Sequence, residues 1–149
     1  MTARLLPLAL GLLTGVTSFA QEVTPLPSAP SFDAARVRLG KRLFHDPLLS
    51  QDRSLACATC HPIDRGGADH KQLSPGLKGA LTATNTPTIF NVGLNYRQFW
   101  GGRVDTIEEV SDAVIPGTMG LPWEELVARL NADAAYANEF GATYGAVTR

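Results

Sequence analysis

Apolar residues recur at helical spacing in four stretches of this chain, and a long middle region has no such rhythm. Phe32, Ala35, Leu39 and Leu43 form one stripe within residues 32–45, while Arg36, Lys41 and Arg42 fall off it. Pro47 stops that pattern, since a proline cannot continue a helix. Ile107, Val110 and Val114 share a second face. Thr106-Ile107-Glu108-Glu109 in front of it is a capping-box sequence, in which hydroxyl and carboxylate satisfy each other's free N–H groups. Pro116-Gly117 closes that segment. Pro122 suits the first turn of a third helix, whose Trp123, Leu126, Val127 and Leu130 lie at i, i+3, i+4 and i+7. Asp133 is placed to cap a last helix carrying Tyr136 and Phe140. Between these elements, residues 46–105 read mostly as loop, punctuated by Gly66-Gly67, Pro75-Gly76, Gly79 and Pro87, with Thr88 to Val92 as a short extended run. So long a loop region in a small domain is expected to be functional or to wrap something. The fold class expected is all-α.

The first residues follow a different pattern. Arg4 precedes an apolar run from Leu5 to Val16, and Ser18-Phe19-Ala20 supplies small residues where a signal peptidase reads. Residues 1–20 therefore read as a signal peptide cleaved before Gln21. The competing reading is a retained anchor, but a spanning helix needs about 20 apolar residues and this run is shorter. Pro25, Pro27 and Pro30 make residues 21–31 a Pro-rich leader, which leaves 32–149 as a single domain. A formal net charge of −1 offers no reason to expect nucleic acid or an anionic membrane as a partner.

The chemistry sits in the loop region. Cys57-Ala58-Thr59-Cys60-His61 has the spacing of a c-type haem attachment motif. Two thiols on one helical turn can reach both vinyl groups along one porphyrin edge. The histidine that follows is then carried beneath the ring to ligate the iron. Its second ring nitrogen is expected to donate to a backbone carbonyl. A thioredoxin-type redox pair would follow a strand in a βαβ unit, which this sequence lacks. A structural zinc site needs four ligands, and His70 would have to complete the set. A disulfide is the third competitor. Export favours haem. One covalent haem c is the expected cofactor.

The sixth iron position separates an enzyme from an electron carrier. Met119, in the turn Pro116-Gly117-Thr118-Met119-Gly120, is one candidate ligand, or else it fills a gap in the core. His70 lies nine residues beyond His61, a stretch of chain that can span about 30 Å; the alternative is a solvated loop residue. His45, at the end of the first helix, is a third candidate, or more simply a histidine that favourably meets the helix dipole.

Several segments in order resemble the N-terminal haem domain of the bacterial dihaem cytochrome c peroxidases, the family that includes the methylamine-dehydrogenase maturation enzymes. They are Leu39-Gly40-Lys41-Arg42-Leu43-Phe44-His45-Asp46-Pro47, Leu49-Ser50, the haem motif, Gly66-Gly67-Ala68-Asp69, Asn85-Thr86-Pro87-Thr88 with Asn91, and Gln98-Phe99-Trp100-Gly101-Gly102-Arg103. The likeness covers roughly residues 33 to 145. It implies a cytochrome c-like domain with haem-wrapping loops, located in the periplasm and taking part in the reduction of hydrogen peroxide. It implies electrons from a redox partner or a second haem domain, here on another chain. It also implies an electron path at Trp100 and a calcium site at Asn85. The ordinary roles for these two are a packed aromatic and a turn-capping amide. Arg103 would hold a propionate, or else a surface carboxylate. The sequence departs from the family at Gly101, where an Asp is usual, and at Thr118, where the distal catalytic Glu is usual. No second C-x-x-C-H is present. The alternative function is therefore a monohaem electron-transfer cytochrome without peroxidase activity.

Overall fold

The structure, a computed structural model, describes residues 24–28 and 31–147. The signal-peptide reading falls outside the described residues, as do residues 21–23 and 29–30 of the leader. The chain divides after Ser31, and the unit from Phe32 onward carries all the helices described here.

Five α-helices follow in order: α1 Ala34–His45, α2 Cys57–Cys60, α3 Ile107–Val114, α4 Trp123–Ala132 and α5 Ala134–Tyr144. No strand occurs among the described residues; only two isolated bridges form, Pro75 with Leu81 and Gln98 with Val104. The domain is all-α, as the periodicity indicates.

The helix ends form for local reasons. Asp33 caps α1 by accepting from the N–H groups of Ala35 and Arg36. Thr106 and Glu109 close the expected box at α3: the Thr hydroxyl accepts from Glu109 N at 3.2 Å, and the carboxylate accepts from Thr106 N at 3.0 Å. Asp133 ends α4 and caps α5 through Ala135 N and Tyr136 N. Pro122 lies one position earlier than expected. It is the cap of α4, and its carbonyl accepts from Leu126 N.

One core holds α1, α4, α5 and the turn after α3 together. Leu39, Leu121, Leu126, Leu130 and Tyr136 are buried there with Met119. The α1 stripe is shorter than expected, because Phe32 precedes the Asp33 cap and stays exposed. Around the core, side chains hold the chain at residues 46–51. The Tyr136 hydroxyl donates to Asp46 Oδ2 at 2.7 Å. Arg129 donates to the carbonyls of Leu48, Ser50 and Gln51. Asp46 also caps the 3-10 turn Pro47–Leu49. The Asp-Pro-x-Leu-Ser segment is thus a structural joint. Buried Ser50 passes it on to the haem motif, accepting from Leu55 N at 3.0 Å.

The run Thr88 to Val92 is not extended throughout. Asn91 takes a left-handed backbone with φ 56° and starts the 3-10 turn Val92–Leu94. An Asn tolerates that region where a β-branched residue would not.

Candidate haem site

The haem motif occupies α2, a single helical turn. Thr59, one of its two spacer residues, accepts from Ala56 N at 2.9 Å and so closes the start of the turn. At the other end, His61 N donates to the Cys57 carbonyl. Both cysteines are free thiols, partly buried, three positions apart on this turn. Burial pushes the Cys57 thiol up from its ordinary pKa, and the neighbouring Cys60 adds to that. Cys60 is raised by burial first and by the charge of Asp69 second. A redox-active C-x-x-C has the opposite property, a lowered thiol pKa.

His61 is half-buried, and its Nδ1 lies 2.9 Å from the Gly67 carbonyl oxygen. A carbonyl only accepts, so Nδ1 carries a proton, and in the neutral ring Nε2 keeps its lone pair. That is the tautomer an iron ligand needs, fixed by the second-sphere contact expected of a metal-bound imidazole. The acceptor depends on backbone that only glycine adopts easily. Gly67 has φ +71°, and a Cβ there would lie 2.9 Å from Ile89 Cγ1.

The donor set passes the test for a haem. Two free thiols and an imidazole of fixed tautomer lie within one turn and its cap, and the loops beyond expose Leu81, Phe90, Leu94 and Trp100. The zinc alternative gains nothing, because among the described residues no three His, Cys, Asp or Glu side chains gather as a metal site.

The remaining candidates are scattered. His70 Nε2 lies 2.8 Å from the Arg65 carbonyl. His45 Nδ1 meets the Lys41 carbonyl at the end of α1, beside a hollow of ≈ 480 Å³ that also touches Ala58 of the motif. Met119 is 3% exposed and packed in the core, while the adjacent Thr118 is exposed. Trp100 is exposed, and its indole N–H donates to the Asn85 carbonyl at 2.9 Å. Both line an open cleft of ≈ 620 Å³ with His70, Lys71 and Thr88, on a wall that does not include the haem motif. Arg103 stacks over the Phe99 ring at 3.8 Å.

Sequence reasoning missed Asp69. It is buried, Oδ1 accepts from Lys71 N at 3.2 Å, and Oδ2 has no hydrogen-bond partner. Burial alone would raise its pKa, but the Lys71 N–H leads the contacts that hold it below the usual value. Sequence reasoning also missed the partners of Thr86 and Thr88: Thr86 bonds the Ser74 hydroxyl, and Thr88 donates to the Gly66 carbonyl at 2.6 Å. A hydroxyl on either side of Pro87 was the available signal.

With this geometry in hand, the likeness to known proteins is specific. The family model for the di-haem cytochrome c peroxidases matches residues 34–149. The cytochrome c peroxidase Ccp of Escherichia coli K12 is 37% identical over 127 residues, covering 83% of this chain and 27% of that protein. The cytochrome c551 peroxidase of Pseudomonas aeruginosa is 35% identical over 79% of this chain and 39% of its own length. The methylamine utilization protein MauG of Methylorubrum extorquens is 33% identical over 83% of this chain and 36% of its own. Among solved structures, a MauG-like protein associated with microbial copper homeostasis superposes with a TM-score of 0.70 at 30% identity, over 85% of this chain and 39% of that one. This chain therefore spans between about a quarter and two fifths of the length of these relatives. By its motifs, its fold and its matched length, the chain belongs to the di-haem cytochrome c peroxidase family.

Proposed function

We propose that residues 32–149 form one domain that carries a single haem c, bound through Cys57 and Cys60 with His61 as axial ligand, and takes part in peroxide reduction. The observation that carries this reading is the Nδ1 contact of His61 with Gly67, which leaves Nε2 for iron beside two unbonded thiols. When bound, the haem would supply the redox-active iron chemistry that peroxide reduction needs. Cys57 and Cys60 would hold the ring by two thioethers, the Gly67 carbonyl would fix the His61 imidazole, and the 65–100 loops would offer the porphyrin their exposed apolar side chains. Reduction of peroxide to two waters needs two electrons and two protons, which fits a redox partner protein or a second haem domain as donor. Exposed Trp100 on the cleft wall suits an electron path towards such a donor. Calcium at Asn85 belongs to the same reading. The apolar run at residues 5–16 supports export to the periplasm, with cleavage before Gln21. Among the described residues, no helix is long and apolar enough to cross a membrane.

Thr118 favours a second reading. A Thr hydroxyl is a far weaker general base than the Glu usual there. A monohaem electron-transfer cytochrome, with Met119 or His70 as sixth ligand, would not need that base.

The test is expression of the full chain with c-type maturation factors, followed by ferric and ferrous spectra and peroxide-dependent oxidation of a reduced donor. High-spin or ligand-exchangeable iron with turnover is the expected result. A low-spin spectrum without turnover selects the carrier. Absence of covalent haem overturns both.

A further inference from the structure

Three successive carbonyls of one turn each accept from a different side chain. Arg65 O lies 2.8 Å from His70 Nε2, Gly66 O takes the Thr88 hydroxyl at 2.6 Å, and Gly67 O takes His61 Nδ1 at 2.9 Å. The peptide between Gly66 and Gly67 is held at its other end too, since Gly67 N donates to the Pro62 carbonyl at 2.9 Å. Thr88 is itself fixed, because its oxygen accepts from Phe90 N at 3.1 Å. The next residue, Ile89, packs against the face of Gly67 where a side chain would stand.

From this ladder we infer that Thr88 and His70 are positioning residues for the axial histidine, acting through the Arg65–Gly67 turn on the carbonyl that His61 Nδ1 contacts. The inference rests on the haem reading above. A ring N–H held by a well-aimed carbonyl makes the opposite nitrogen a more basic ligand. A more basic axial ligand favours ferric iron and lowers the reduction potential. Gly66 and Gly67 have positive φ and no side chains, so neither can hold the turn by a contact of its own. The braces must therefore come from outside it, and Thr88 supplies one from 22 residues away. In this role His70 spends its Nε2 on a carbonyl from a backbone at φ 57°.

The test compares wild type, Thr88→Val, Thr88→Ser and His70→Ala in the full chain matured with haem. Covalent haem is counted first by the pyridine haemochrome method. If wild type carries none, the haem reading has failed and not this one. With haem in place, redox titration should give Thr88→Val a higher midpoint potential than wild type, with a weakened iron–imidazole stretch. Thr88→Ser, which keeps the hydroxyl, should restore both. His70→Ala should shift both in the direction of Thr88→Val. Exchange of the His61 ring N–H, followed by nitrogen-15 NMR in the ferrous state, should quicken about fivefold on loss of one hydrogen bond's worth of order. Unchanged potential, stretch and exchange in Thr88→Val and His70→Ala would overturn the inference. So would an effect in Thr88→Ser equal to that in Thr88→Val. Should Thr88→Val fail to fold, the exposed His70→Ala decides alone, because it alters no packed side chain.

Discussion

Two regions of this domain are held by different means. The helical half, α1 with α4, α5 and residues 46–51, closes on its own apolar core. Its polar clamps, Arg129 on three carbonyls and Tyr136 on Asp46, connect residues about eighty to ninety positions apart. The loop half, residues 56–105, leaves Leu81, Phe90, Leu94, Tyr96 and Trp100 exposed and relies on short polar braces. A region with so little apolar burial of its own opens at low free energy unless something fills it. The difference gives the halves separate sources of order: the helical half closes on its own core as a scaffold, while the loop half keeps large apolar side chains exposed and is held by polar braces.

The largest expected effect tests that separation directly. Cys57→Ala combined with Cys60→Ala should abolish covalent haem, read by haem staining of a denaturing gel. Far-ultraviolet circular dichroism of the variant should keep most of the helical signal. Limited proteolysis should cut it rapidly within residues 65–100 and leave the helical half protected. Loss of both halves together would show that the scaffold also needs the cofactor.

The reverse experiment attacks the scaffold. Leu121 has no exposed surface and sits among the core residues of the helical half. Leu121→Ala should cost about 2–5 kcal/mol, from lost transfer energy plus the cavity left behind. Denaturant unfolding measures it. Haem content at low denaturant should stay near that of wild type, since no residue of α2 is altered.

The scaffold was legible in the sequence because helices declare themselves through spacing and caps. Thr106 with Glu109, and Asp133 before Tyr136, stand where the pattern puts them, and the apolar faces follow from residues three and four apart. The motif Cys57-Ala58-Thr59-Cys60-His61 was legible for the same reason, as its chemistry is carried by contiguous residues. What could not be read was the loop half. There, contacts join residues such as Thr88 and Gly66 with no period between them, and single turns such as that at Asn91 decide the path. Asp46-Pro47 and Leu49-Ser50 were legible as a family signature but not as a joint. Their partners, Tyr136 and Arg129, lie in helices far along the chain.

A smaller effect lies at the border of the two halves. Gly67→Ala puts a Cβ into Ile89 at a position with φ +71°. Both the strain and the contact fall in the loop half, so about 1–3 kcal/mol should be lost there. The haem spectrum should change, because the carbonyl meeting His61 moves. Gly66→Ala shares the positive φ but meets open space, so it isolates the backbone cost from the collision. Equal spectra for the two variants would mean that Ile89 yields without disturbing the turn.

The smallest effect concerns the thiols before haem is attached. Burial raises both Cys57 and Cys60, so at a given pH less of each is thiolate than of an exposed cysteine. The thiolate is the nucleophile. In protein made without maturation factors, alkylation by iodoacetamide near about pH 8 should therefore be slower than for a small-molecule thiol of ordinary pKa. The rate should keep rising as pH passes the ordinary thiol pKa. If the loop half opens when haem is missing, burial is lost and the two rates converge. A slow rate would show instead that α2 keeps its packing against the scaffold through Ser50 and Leu55. In that case the boundary between the halves lies just after the haem motif rather than before it, and the motif is presented ready-made to the haem.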